Sequence, residues 1–467
     1  MKKIQRIFIA VFFGMLMIPM VTFTWEEDVV SRIDNRKLAE NPLKNTEAAS
    51  GEIRDLTEDI EEFVSDRIGL RDQMILAYTK ANDVLFHEMV HPIYTYGEDD
   101  YVFFRPEEPI EFDGYHVQFA QMVANIQQYC EERNVPFLFV FNPAKTTVLE
   151  DKLQRGICYH NEWVSQFLEE LYALGVNYVD NTGLLCEKAE SEEMVFNRQY
   201  DAGHWNDLGA YYGVNQTLEV LSEKQEGIHI NQQEEFDIGT WIATTLPVSD
   251  FSIHDEVPYF EIKYDVDDLT DAYEQEVKRD EQYPYFRYSR NSLREKEGAP
   301  KALVFQGSYM NMYGFQYLDN SFGEYVAVHD YQNVMDVDYY YNIFLPDCVI
   351  FEVAEYAVIN SYFDYRAMAD MDLNPACSTF DHMAQASDSL SEDMISIDKG
   401  KRLSKFEITG LPKDTKYAYL KMGETIFDLS HQEDETYTVT VENKRVDLDN
   451  MEIIIITSED EKVLLSQ

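Results

Sequence analysis

The chain predicts an α/β fold built around a parallel sheet, and three observations predict it. Short, mainly apolar runs recur at Val135–Phe141, Val176–Val179, Ala302–Phe305, Tyr325–Val328 and Cys348–Val353. Segments of helical periodicity, Gly114–Glu132, Glu162–Leu174 and Asn206–Leu221, alternate with the earlier runs. The last stretch of the chain changes character and reads as alternating β segments. A strand covered on both faces is apolar throughout, and its alternation with helices marks a parallel sheet with helices on its faces. In such sheets ligands bind outside the carboxyl ends of the strands, so the loops that follow these runs are where a site is sought.

The elements follow in order. Lys2, Lys3 and Arg6 precede an apolar run, Ile7–Phe23, with Glu26 and Glu27 beyond it. A basic flank, an apolar span and an acidic flank predict the N-terminus inside and the remainder exported. The run exceeds the usual signal-peptide core, and Val-Thr-Phe-Thr-Trp offers no small-residue cleavage site. An uncleaved signal anchor is expected over residues 1–25, with a cleaved signal and a secreted protein as the alternative. Leu56–His87 is helical in period and is broken by Gly69, which suggests two helices. Ile93–Phe104 reads as a hairpin turning at Gly97–Asp99.

The main α/β region is expected over residues 26–390. Within it 222–298 is polar and acidic, and it reads as an insertion near the substrate with some strand, such as Tyr259–Tyr264. The polar stretch Ser378–Asp393 reads as a linker. A small β-rich domain is expected over 391–467, with strands at Phe406–Ile408, Tyr417–Lys421, Thr436–Val441 and Ile453–Ile456. Exposed Tyr417 and Tyr419 could bind glycan there, or the domain could simply cap the larger one.

The net charge is −49, from 87 acidic against 38 basic residues. Such a field repels phosphate backbones, so no nucleic-acid partner is expected. The five cysteines have no CxxC spacing, which argues against a thiol redox motif or a zinc knuckle. Cys158 and Cys186 could form a local bridge. His87 and His91 have the i, i+4 spacing of zinc ligands, yet no third ligand is apparent, and neither a metal nor a cofactor is expected.

The chemistry points to Tyr200–Ala210, where Asp201 stands three residues before His204. A carboxylate that orients an imidazole is two-thirds of a Ser-His-Asp apparatus. In isolation the pair reads more readily as a helix N-cap beside a satisfied polar residue. Ser308 supplies the third part. It follows an apolar run and Gly307, and a serine on such a turn projects its hydroxyl above the sheet, where backbone N–H groups can face an oxyanion. Asn142 and Tyr309 are the nearest polar candidates to add to the Ser308 N–H as oxyanion donors, each with an ordinary turn or packing reading beside it.

At these residues the sequence resembles the SGNH (GDSL-like) hydrolases. Asp-Ala-Gly-His-Trp-Asn-Asp-Leu-Gly-Ala is similar to a block of the alginate O-acetyltransferase type. Asn35-Arg36-x-Leu38-Ala39-x-x-Pro42, Asp66–Asp72, Asn142-Pro143-Ala144-Lys145 and Gly307-Ser308-Tyr309 resemble its other landmarks, in the same order. The likeness spans about 33–375 and implies a circularly permuted SGNH fold in which Asp and His precede Ser. Two residues separate Asp201 from His204, where the alginate type has one. Glu352-Val353-Ala354-Glu355-Tyr356 stands where a Gly-x-Asn-Asp oxyanion block is expected.

The resemblance implies acyl transfer, with Ser308 as nucleophile, His204 as base and Asp201 as its orienter. The implied function is O-acetylation of a cell-surface or secreted polysaccharide. A membrane acyltransferase partner would supply the acetyl group to a membrane-tethered catalytic domain outside the cell. A carbohydrate acetyl-esterase shares the same chemistry, and a non-catalytic glycan-binding or scaffold protein of an export complex is the reading from another class.

Overall fold

The computed structural model describes residues 2–466 apart from 28, 32, 34, 35, 43–55, 106–108, 157–160, 248, 250, 433, 434 and 460. Cys158, His160 and part of the Asn35–Pro42 landmark therefore lie outside the described residues.

The apolar N-terminal run is a helix, α1 (Lys2–Val21). Two helices follow, α2 (Leu56–Arg67) and α3 (Arg71–Phe86), and the break between them falls at Gly69. The hairpin pairs β1 (Tyr94–Tyr96) with β2 (Val102–Phe104). Helix α4 (Gly114–Glu132) starts at an N-cap, Asp113, whose side chain accepts from the Tyr115 N–H. Its buried face carries Phe119, Val123, Ile126 and Cys130.

The central sheet grows from β3 (Phe137–Asn142), every residue of which is buried. After helix α5 (Glu162–Ala173) comes β4 (Tyr178–Asp180), parallel to β3 at the sheet's edge. Helices α6 (Thr182–Glu190) and α7 (Asp207–Ser222) bracket the Tyr200–Asn206 loop. A long ribbon of β5 (Phe236–Thr245) and β6 (Ser252–Ile262) stands apart from the sheet. Then β7 (Asp267–Asp268) and β8 (Phe286–Arg290) join the sheet, both antiparallel. Three apolar runs complete it as β9 (Lys301–Gln306), β10 (Glu324–His329) and β11 (Cys348–Ala354). The strand order is β4-β3-β11-β9-β10-β8-β7, with parallel pairing from β4 to β10. Strand β11 returns to the middle, so the carboxyl ends of β3, β11 and β9 lie side by side.

The region 222–298 is thus only partly an insertion. Its ribbon is separate, but Phe286–Arg290 pairs along its whole length with β10, from Phe286↔Val328 to Arg290↔Glu324. Five residues with one polar face carry too little periodicity to mark a sheet strand.

The C-terminal part forms two sheets. One has the order β12 (Gln385–Ser389), β20 (Lys462–Ser466), β19 (Met451–Thr457), β15 (Thr415–Met422), β16 (Thr425–Asp428). The other runs β13 (Ile395–Lys399), β14 (Leu403–Ile408), β18 (Tyr437–Glu442), β17 (Ser430–His431). Phe406, Leu420, Phe427 and Ile455 fill the space between them. The supposed linker is partly strand, since Gln385–Ser389 pairs in parallel with β20. Its residues are exposed throughout, so no apolar alternation betrays it. Tyr419 is buried and its hydroxyl donates to the Pro375 carbonyl at 2.7 Å, so it offers no ring to a glycan. Asp428 ties this part to the rest of the chain through Arg133 (2.8 Å) and the Tyr129 hydroxyl (2.5 Å).

Candidate active site

The site is assembled at the carboxyl edge of the sheet. Strand β9 ends at Gln306, Gly307 turns the chain, and Ser308 opens a helical segment that includes a π-helical turn at Met310–Gly314 and runs on to Ser321. The first N–H groups of a helix have no partner within it and carry the positive end of its dipole, so Ser308 lies where negative charge is best tolerated. Gly307 sits over two buried carboxylates. A Cβ there would lie 3.6 Å from both oxygens of Asp330 and 3.8 Å from Glu352 Oε2.

The Tyr200–Asn206 loop is held from several sides. Asp201 adopts φ 63°, a left-handed conformation that a short polar side chain tolerates better than most residues. Its carboxylate accepts from the backbone N–H groups of Gly203 (3.1 Å) and His204 (3.0 Å). Asp255, on β6, accepts from the N–H groups of Gln199 (2.7 Å) and Tyr200 (2.8 Å). Lys145 is buried and donates to the carbonyls of Val102 (2.8 Å) and Asp201 (3.2 Å). Burial pushes its amine down to about 7 against the opposing charges of Asp201 and Asp255. The Trp205 indole donates to the Tyr309 carbonyl at 3.0 Å, locking the loop to the helix of Ser308. The helix-capping role falls to Asn206, whose side chain accepts from the Gly209 N–H at 3.0 Å. Asp201 and His204 are left free of it.

These constraints align three side chains. His204 Nδ1 lies 2.9 Å from both Asp201 oxygens, and Nε2 lies 2.8 Å from Ser308 Oγ. With Nδ1–H donated to the carboxylate, Nε2 is the acceptor for the serine proton. Burial would raise the Asp201 pKa, but the His204 ring and the two backbone donors outweigh it and hold the group below the ordinary carboxylate value. Asp201 therefore stays charged and can hold the orientation of the imidazole through Nδ1.

Tyr356, just beyond β11, is a fourth member that the sequence reading passed over. Its hydroxyl is 2.7 Å from Ser308 Oγ and 3.3 Å from His204 Nε2. Since the serine proton is committed to His204, the phenol is the donor to Oγ. Burial drives its pKa upward, so it remains a donor across the working range of pH. Tyr313 reaches Asp201 Oδ2 at 3.3 Å from the π-helical turn.

The two side chains expected to add to the oxyanion site do not serve it. The Tyr309 hydroxyl donates to the carbonyls of Pro143 (2.9 Å) and Gly203 (2.8 Å), deep in the core. Asn142 donates to Glu352 Oε1 at 2.7 Å and accepts from Asn181 at 2.7 Å. Both are committed to neighbours that their own loops bring to them. Glu352 also accepts from the Gly307 N–H at 2.8 Å, and burial with Asp330 nearby pushes its pKa up to about 8. Glu355 accepts from the Ala144 N–H and the Thr147 hydroxyl, so it caps the turn after β3. His87 pairs with Asp100 at 2.7 Å while His91 is buried against the Tyr94 ring. Among the described residues no group of three or more His, Cys, Asp or Glu is placed to hold a metal ion.

Residues 95–286 match the family model of the SGNH hydrolase-like domain, acetyltransferase AlgX. The segment is thus similar to an SGNH hydrolase-like domain of the AlgX acetyltransferase type. This likeness to an acetyltransferase domain supports an enzyme. The AlgX-type segment carries Asp201, His204 and the whole β5–β6 ribbon, while Ser308 and Tyr356 follow it. No curated protein matches the chain. Similar solved structures include Bacillus cereus PatB1 with a sulfonyl adduct, at 17% identity and TM-score 0.44, covering 58% of this chain and 96% of that one. The O-acetyltransferase domain of Pseudomonas putida AlgJ is similar at 17% identity and TM-score 0.40, covering 60% and 99%. Pseudomonas aeruginosa AlgX is similar at 13% identity and TM-score 0.39, covering 80% and 89%.

Proposed function

We propose that this AlgX-type enzyme is an O-acetyltransferase that modifies a cell-surface or secreted polysaccharide through an acetyl-Ser308 intermediate. The observation that carries the reading is the unbroken hydrogen-bond chain from Asp201 through His204 to Ser308. In the first half-reaction Ser308 Oγ bonds to the acetyl carbon of the donor as its proton passes to His204 Nε2. The tetrahedral intermediate collapses, the bond to the donor's leaving group breaks, and that group takes the proton from His204. In the second half a sugar hydroxyl gives its proton to His204 and attacks the acetyl-serine. Oγ then leaves and is reprotonated. Asp201 holds the imidazole tautomer throughout. The developing oxyanion would be met by the Ser308 backbone N–H and the Tyr356 phenol.

Helix α1 supports a membrane location. Over Lys3–Val21 its mean hydropathy is 2.0, and it is the one described helix long and apolar enough to cross a bilayer. Anchored there, with its catalytic part outside, the enzyme could collect acetyl groups from a membrane acyltransferase, and tethering would raise the local concentration of the pair.

The test uses an acetyl-ester reporter with and without a polysaccharide acceptor, scored by mass spectrometry of both the glycan and the Ser308 peptide. Acetylated glycan and a trapped acetyl-Ser308 are expected. Ester cleavage that leaves the glycan unmodified at every acceptor concentration makes the protein an esterase. Unchanged cell-surface acetylation in a Ser308→Ala strain assigns it a non-catalytic role.

A further inference from the structure

The helical pair next to the N-terminal helix has a face that the protein itself leaves bare. On α3, with Leu70 at its cap, the side chains of Leu70, Met74, Tyr78, Val84 and Leu85 point outward, each between 45% and 74% exposed. Successive separations of four, four and seven residues, from 70 to 74, 78 and 85, put them on one stripe, with exposed Ala77 and Ala81 between them. The opposite side of α3 is anchored in the protein by Thr79, which is buried and donates to the Val90 carbonyl at 3.1 Å.

The position of this stripe argues for its occupant. The α2–α3 turn is bonded to the last turn of α1, where the Gly69 N–H donates to the Pro19 carbonyl at 3.0 Å. Contact is so close that a Cβ on Gly69 would fall 1.9 Å from Thr22 Oγ1. The Thr24 N–H donates to the Arg67 carbonyl at 3.0 Å, and the Arg67 guanidinium returns a bond to the Glu26 carbonyl. None of the described residues of α1 over Lys3–Val21 is buried. At its exit Phe23, Trp25 and Phe63 cluster with ring centroids 4.7 to 6.4 Å apart, and Trp25 stays 72% exposed. Aromatic rings of this kind settle at the boundary between lipid and water. The exposed apolar surface therefore runs from the span through its aromatic exit to α3.

We infer that α3 lies in the outer interfacial layer of the bilayer as a second membrane contact beside α1, with the Leu70–Leu85 stripe against the acyl chains. The stripe is uncharged, α2 is rich in Glu and Asp, and the whole chain is strongly acidic. Its attachment thus rests on apolar burial rather than on attraction to anionic headgroups. Two contact points would fix the orientation of the catalytic part over the membrane, which a single flexible span cannot do.

The experiment places the full chain in phosphatidylcholine vesicles containing a phospholipid with a photoactivatable diazirine on its acyl chain, and maps the lipid adducts by peptide mass spectrometry. Adducts are expected on residues 3–21 and on 70–86, equally in zwitterionic and anionic vesicles and at high salt. A Met74→Glu/Leu85→Glu variant should lose α3 adducts by at least about fivefold while α1 labelling and the melting temperature stay unchanged, because the stripe is outside the protein core. Adducts confined to residues 2–27 overturn the inference, as does α3 labelling that the double variant leaves intact. Protein cross-links to α3 in native membranes without lipid adducts would make the stripe a protein-docking face instead. Absence of label from α1 as well would remove the span along with it.

Discussion

Replacing Tyr356 with Phe tests how the site meets developing charge. The substitution keeps the ring, and with it the packing against His204 and Tyr309 at centroid distances of 6.3 and 6.1 Å. It deletes one hydroxyl, 2.7 Å from Ser308 Oγ. Two outcomes of different size follow. If the phenol serves only to solvate Oγ in the resting enzyme, its loss costs a net hydrogen bond, about 0.5–1.5 kcal/mol of stability, and the rate barely moves. If it swings to the oxygen that gains charge on the acyl carbon, its loss removes an interaction made in the transition state, worth roughly 10²–10³ in rate, or about 2.7–4 kcal/mol. The backbone N–H of Ser308 remains in both cases. The expectation is the second outcome, with kcat and kcat/KM falling together, since a donor used only at the transition state leaves substrate binding untouched. Stopped-flow acylation by an acetyl ester reads this directly, and a melting curve of the same variant reads the first outcome. A kcat/KM within about threefold of wild type would refute the oxyanion role and return Tyr356 to a supporting one.

Three further perturbations probe the scaffold. Glu352→Gln acts on pH dependence. The unfolded chain releases this proton near 4.5 and the folded one near 8, so the native state holds it more tightly between those values. Stability should fall as pH rises through that window, by up to about 1.4 kcal/mol per unit, and urea titrations at pH 5 and pH 8 should show a smaller difference in the variant. Gly209→Ala drives a Cβ to 2.3 Å from the Val195 carbonyl and 3.0 Å from Trp205 Cβ, and it should cost about 3 kcal/mol in a denaturant melt, the upper end for overpacking. Asp255→Ala frees the N–H groups of Gln199 and Tyr200 without touching the reacting atoms. We expect roughly a tenfold or larger loss of kcat with KM little changed, as misplacement of about 1 Å can cost a hundredfold. Equal activity would show that the ribbon does not hold the loop.

The parallel sheet was legible because its strands are buried on both faces. Phe137–Asn142, Lys301–Gln306 and Cys348–Ala354 are apolar almost without interruption. Ser308 was legible because it follows one of them after a glycine, and Asp201 and His204 because three residues separate them on a polar loop. Tyr356 was not, although it stands where an oxyanion block was sought. It meets Ser308 only because β11 and β9 pair in parallel, Val304 opposite Ile350, and that register is a tertiary fact. Asn142 and Tyr309 failed as oxyanion donors for the converse reason. Sequence shows that a side chain is polar, but not that Asn181, Glu352 or two carbonyls have already taken its hydrogen bonds. The left-handed backbone at Asp201 likewise leaves no trace in composition. Two strands were missed: Phe286–Arg290, whose polar Arg287, Ser289 and Arg290 hide its place inside the sheet, and Gln385–Ser389, which is exposed throughout.

The proposed nucleophile and its proposed base are supported in different ways, and the difference bears on the proposed chemistry. Ser308 rests on the sheet itself, on a strand end whose Gly307 N–H is held by Glu352 from the neighbouring strand. His204 rests on a loop with no strand of its own, and each tie on that loop comes from a different part of the chain: Lys145 after β3, Asp255 on the ribbon, and the Tyr309 carbonyl beneath Trp205. Small motions of that loop would change the 2.8 Å gap between base and serine long before they disturbed the sheet. On the proposed mechanism, binding the loop at several points keeps His204 in place, and the cost of aligning it is met in folding rather than at each turnover. A buried lysine held down to about 7 is what such rigidity costs. It is tolerated because the amine is hydrogen-bonded to the Val102 and Asp201 carbonyls.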